Sequence, residues 1–128
     1  MRAMPWVAVA AVLLLSSCAT PPASRISALF QGKGAPALSA GIDEFEEGRY
    51  PEATRSLNSA LEQGLNSTSD LARAHKYLAF IYCVSNRVAQ CREEFSRALD
   101  ANPGMELEPS EAGHPIWGPV FKSAKARR

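Results

Sequence analysis

The sequence predicts an all-α chain of antiparallel helical hairpins closed by a C-terminal capping helix. Three observations predict it. From Ala37 onward apolar residues recur at helical spacing, and no stretch alternates as a strand would. Short breaks carrying Gly, Asn or Pro separate the apolar stripes, as antiparallel neighbours require. Finally, the second half repeats the first, with Gly48 matching Asn86 at an offset of 38 residues.

The stripes follow in order. Leu38, Ile42 and Phe45 share one helix face, and Gly48 ends that run as a residue able to take a positive φ. Pro51 suits the first turn of the next helix, where its missing N–H costs nothing. Ala53, Leu57, Ala60 and Leu61 form the second stripe, stopped by Gly64. Ser67 and Asp70 read as a capping pair for the third helix, whose stripe is Leu71, Ala74, Leu78, Ile81 and Tyr82. Asn86 is a left-handed stop. Val88, Cys91, Phe95, Ala98 and Leu99 make the fourth stripe, and Asn102-Pro103 ends it.

Beyond Pro103, Met105 and Leu107 lie in a proline-bounded extended piece. Ile116, Trp117, Val120, Phe121 and Ala124 then fall on one helical face, with Pro115 and Pro119 early enough to be tolerated. Two stacked hairpins leave an open apolar end that needs a cap. Trp117 and Phe121 are the residues expected to supply it, or alternatively to contact a partner.

Aligned, "GRYPEATRSLNSAL" (48–61) and "NRVAQCREEFSRAL" (86–99) pair Tyr50 with Val88, Ala53 with Cys91, Leu57 with Phe95 and Ala60-Leu61 with Ala98-Leu99. On Gly41, Gly48, Tyr50, Ala53 and Ala60, then Leu78, Ala79, Tyr82, Phe95, Ala98 and Pro103, residues 37–103 resemble two tetratricopeptide-like repeats. Asn86, Val88 and Cys91 depart from the family's glycine, tyrosine and alanine. The resemblance implies a concave groove lined by the first helix of each pair. Here that means Leu38, Ile42 and Phe45, then Arg73, Lys76 and Phe80. Arg73 and Lys76, three apart, share a face and are placed to hold a carboxylate. An apolar groove taking a partner helix, or the chain's own tail, is the other reading.

The N-terminus supplies a compartment. Arg2 precedes a ten-residue apolar run, Trp6 to Leu15, too short to cross a bilayer, which takes about 20 helical residues. The run meets Leu15-Ser16-Ser17-Cys18, which resembles the lipobox of bacterial lipoproteins. That resemblance implies removal of residues 1–17, acylation of Cys18 (palmitate among the chains), and, with Ala19 next, sorting to the outer membrane with the domain facing the periplasm. Residues 18–36, rich in Pro, Ala, Ser and Gly, read as a flexible tether, in which Ile26, Leu29 and Phe30 can dock as a short apolar turn. The bland alternative is an ordinary secretory signal with a chance cysteine.

With Cys18 consumed by lipid, Cys83 and Cys91 remain in an oxidising compartment. They flank a short break between antiparallel helices, so they read as a disulfide; the alternative is two buried free thiols. No C-x-x-C motif is present, and no His completes a zinc set with them.

Composition narrows function further. The mature 111 residues would carry equal numbers of acidic and basic groups, which gives no electrostatic case for nucleic acid. Asp43 to Glu47 and Lys122 to Arg128 are locally acidic and basic, and read as solvated faces. His75 beside a core face and His114 in a turn read as structural. With no nucleophile elbow or phosphate loop, no catalytic residue, metal, cofactor or small-molecule substrate is expected.

Protein binding remains. "ALDANP" followed by "GHPIWGPVF" is similar to type VI secretion-associated lipoproteins of the TssQ family, which carry a lipobox, such helices, a cysteine pair and this tail. The function implied is an outer-membrane-anchored interaction module or scaffold for an envelope-spanning secretion machine, with protein partners in the envelope. A pilotin-like chaperone for a secretin is the alternative. A small periplasmic ligand-binding protein or enzyme is the third reading. Residues 104–128 form the extended segment and capping helix.

Overall fold

The computed structural model describes Phe30 and residues 32–128. Among the described residues six helices follow one another from Ala35 on: α1 (Ala35–Glu46), α2 (Tyr50–Gln63), α3 (Thr68–Val84), α4 (Val88–Ala101), α5 (Pro109–Ala112) and α6 (Trp117–Ala126). The described residues contain no strand. α1 packs along α2, and α3 along α4, as two hairpins. α3 also leans on α2 and α1, while α6 lies mainly against α4.

The two hairpin turns repeat each other bond for bond. Gly48 N–H donates to the Phe45 carbonyl (2.9 Å) and Arg49 N–H to that of Glu44 (2.8 Å). Thirty-eight residues later, Asn86 N–H donates to Cys83 (3.2 Å) and Arg87 N–H to Tyr82 (2.8 Å). These are the paired bonds of a Schellman ending, which needs a residue of positive φ. Gly48 sits at φ 76° and Asn86 at φ 60°. Asparagine is one of the few side-chain-bearing residues that visits this region readily. The next helix opens the same way in both hairpins, with Ala53 N–H on Arg49 and Cys91 N–H on Arg87.

Packing follows the repeat. Ala53 and Cys91, Leu57 and Phe95, Ala60 and Ala98 are all fully buried. Gly41 is small for a reason: a Cβ there would lie 2.7 Å from the Leu57 side chain. α3 is the shared wall. Ala74, Leu78 and Ile81 face the first hairpin, and Ala72, Ala79, Phe80 and Cys83 face the second. Ser67 caps α3, its Oγ accepting from Asp70 N–H at 3.2 Å.

The tail adds a third layer. Met105 and Leu107 are buried at alternate positions of the extended piece. α5, which the apolar pattern did not reveal, is a single turn closed by a capping box between Glu108 and Glu111. In α6, Phe121 meets Phe95 edge-on at 5.2 Å. Ile116, expected on the buried face, is instead 45% exposed, because it precedes the helix as its N-cap.

At the other end, α1 starts two residues before the first expected position, with Pro36 in its first turn. The expected tether, residues 18–36, falls largely outside the described residues, as does the docking of Ile26 and Leu29. Its last part is not free. Gly34 N–H donates to the Gly64 carbonyl at 2.9 Å, and a Cβ on Gly34 would collide with the Ala60 carbonyl. Phe30 is 75% exposed.

Candidate functional site

α1 and α3 place four of the six groove residues in matching positions, with Leu38 equivalent to Lys76 and Ile42 to Phe80. The six do not form one continuous groove: Leu38, Ile42 and Arg73 border an open cleft, and Phe45, Lys76 and Phe80 do not. Leu38, Ile42 and Phe80 belong to the core, Lys76 is buried, and only Arg73 is exposed. The physical reason is aromatic. Phe45 touches Tyr50, Tyr77, Phe80 and Trp117, with ring centres 5.2 to 6.3 Å apart. Trp117 of the tail stacks on Phe80 at 4.3 Å and covers it. What remains open between α1 and α3 is a shallow cleft of about 280 Å³ beside Leu38, Ser39, Asp43 and Arg73.

A carboxylate does sit on this face, and it is the chain's own. Lys76 Nζ donates to Glu111 Oε1 at 2.8 Å and Oε2 at 3.1 Å. Glu108 N–H donates to the same Oε2 at 2.9 Å. The ammonium also lies 5.0 Å from the Tyr77 ring centre and 5.7 Å from that of Phe80, within range of cation–π attraction. Arg73 does not join it; Arg73 pairs with Asp70 one turn earlier, at 3.7 Å. So Arg73 and Lys76 are not a joint carboxylate clamp. Burial raises the pKa of the Tyr77 phenol, the Glu111 and Glu46 carboxylates raise it further, and Arg73 opposes them.

Trp117 is held from three sides. Phe80 lies on one side, His114 stacks on it at 3.4 Å, and Nε1–H donates to the Glu111 carbonyl at 2.8 Å. His114 Nδ1 accepts from Ile116 N–H at 3.2 Å, which fixes the turn into α6. The proline-flanked "HPIW" stretch therefore builds a lid over the α3 end of the face.

His75 has a carboxylate partner, with Nδ1 2.6 Å from Glu94 Oε2. Arg97 reaches the other oxygen of Glu94 at 3.0 Å and also pairs with Glu93. The side chains of His75 and Glu94 are only 16% and 10% exposed. This chain of polar contacts fastens α3 to α4. Among the described residues no three His, Cys, Asp or Glu side chains gather to hold a metal.

Cys83 and Cys91 are joined as a disulfide with Cα atoms 5.1 Å apart. Both are buried, at 2% and 0% exposure. Closing a loop of eight residues stabilises the hairpin by about 2–3 kcal/mol in the chain-entropy account. Cys91 thus both stands in the small-residue position and clips α4 to α3. Cys18 lies outside the described residues.

Sequence reasoning missed Glu111 and Glu94. Glu108-Pro109-Ser110-Glu111 has the three-residue spacing of a capping box, the one local signal that marks Glu111. Nothing local marks Glu94 as buried among the charges of "REEF". No protein-family model, curated protein or solved structure matches the chain. No helix of the described residues is long and apolar enough to cross a membrane.

Proposed function

We propose that this chain is an outer-membrane-anchored periplasmic lipoprotein, resembling the TssQ family. Its two tetratricopeptide-like repeats serve as a protein–protein interaction module for an envelope-spanning secretion machine, type VI secretion first. The observation that carries the reading is the bond-for-bond repetition of the two hairpin turns, as expected of stacked repeat units. Repeat stacks work by presenting extended surfaces to other proteins. The buried disulfide suits an oxidising compartment. The lipobox-like Leu15 to Cys18 supplies the anchor in this reading. His75 is paired with Glu94 and His114 stacks on Trp117, which supports a reading of binding rather than catalysis.

Affinity purification of the tagged full chain from detergent-solubilised envelopes is the test. Recovery of secretion-machine subunits is expected. Recovery of unrelated envelope proteins alone would reject the assignment.

A further inference from the structure

A second open cleft, of about 610 Å³, lies between the extended piece and α6. Leu107 and Phe121 form its floor, Pro115 and Pro119 line it, and Lys122 stands among the lining residues. Gly118 keeps α6 close to α5, since a Cβ there would collide with the Ala112 carbonyl. The volume falls within the roughly 300–1,000 Å³ of sites that take compact apolar groups.

Charge narrows what can enter. Lys122, Lys125, Arg127 and Arg128 crowd the last turn and the end of the chain. Lys125 is paired with Glu106 and Arg128 with Asp100. Lys122 and Arg127 have no carboxylate partner among the described residues. Glu106 and Lys125 also line the cleft and neutralise each other, so it offers an apolar floor with one unpaired ammonium, that of Lys122, beside it. A polyanion such as nucleic acid gains from rows of cations rather than from an apolar floor. A flat membrane surface does not reach side chains that are themselves buried, as Leu107 and Phe121 are.

We propose that this cleft docks a segment of a partner protein that presents an apolar side chain next to a carboxylate. The side chain rests on Leu107 and Phe121, and the carboxylate meets Lys122. The inference rests on the interaction-module reading and moves the partner site from the covered α1–α3 face to the outside of the tail.

The test uses the full chain in its native host, with a photoreactive benzoylphenylalanine replacing Pro119, an exposed lining residue, in one strain and Ser39, in the α1–α3 cleft, in another. The cross-linked peptide is then sequenced. Cross-linking from position 119 to an apolar segment with an adjacent Asp or Glu is expected. Lys122→Glu should lower co-purification of that partner about tenfold, while Lys122→Arg retains it. The thermal midpoint of Lys122→Glu, measured alongside, should match the parent, because Lys122 is exposed. Cross-links from position 39 alone overturn the cleft but leave the interaction module standing. No protein cross-link from either position overturns both. Cross-links from 119 to a second copy of this chain or to lipid, or unchanged co-purification of Lys122→Glu, overturn the proposed docking.

Discussion

Lys76 and Glu111, 35 residues apart, meet through both carboxylate oxygens and tie the tail to α3. Their side chains are only 11% and 16% exposed, so neither charge is freely compensated by water. Removing one partner strands the other. Lys76→Met should therefore destabilise the fold by about 2–3 kcal/mol, below the full buried-pair range because some water reaches the site. Adding Glu111→Leu should recover most of that loss. Urea denaturation of the two single variants and the double variant measures the coupling.

Trp117 contributes a ring and a donor, and the two can be separated. Trp117→Phe keeps much of the stack on Phe80 but leaves the Glu111 carbonyl without its donor, at a cost of about 1 kcal/mol. Trp117→Ala also uncovers Phe80 and should cost about 3 kcal/mol, the low end for a large ring because Trp117 is half-buried. Exposure of the α1–α3 face would then show as new binding of a hydrophobic dye. An unchanged melting curve for Trp117→Ala would mean that the tail does not cover that face.

Asn86 takes the role of glycine in the second turn. Asn86→Gly should leave stability nearly unchanged. Asn86→Val forces a β-branched residue to φ 60° and should cost about 1–2 kcal/mol. Gly48→Val should cost a similar amount, since the two turns share one hydrogen-bond pattern. Thermal denaturation of the three variants checks this.

Tyr77 gives a dependence on pH. A phenol with a raised folded-state pKa holds its proton more tightly when folded than when unfolded. Its contribution is fully present below the ordinary phenol pKa of about 10 and is lost as pH rises through the folded value. Tyr77→Phe removes this loss. The stability difference between parent and Tyr77→Phe should thus be flat from neutral pH to about 9.5, with the parent falling behind at higher pH.

Helices α1 to α4 were legible because each has a one-sided apolar stripe and a residue suited to ending it. Gly48 and Asn86 marked both turns, since positive φ restricts residue choice so sharply. The tail was only half legible. Phe121 and Ala124 followed the helical period, but Ile116 did not, because the proline-rich turn delays the helix by one residue. α5 is too short to show a period at all. The α3 half of the groove was misread because burial by a distant segment leaves no local trace. Phe80 looks the same in sequence whether solvent, a partner or the chain's own Trp117 covers it. Lys76 is the instructive case: a cation on a helix face reads as exposed until its carboxylate, 35 residues away, is known.

The place of this protein in the cell rests on its cysteines, and the intact mass of the full chain purified from its host's membranes under non-reducing conditions tests it most directly. The expected mass is that of a chain beginning at Cys18, carrying acyl chains on that residue, and two protons lighter for a Cys83–Cys91 disulfide. A non-acylated chain that still begins at Met1, with three alkylatable thiols, would contradict both the anchor and the staple.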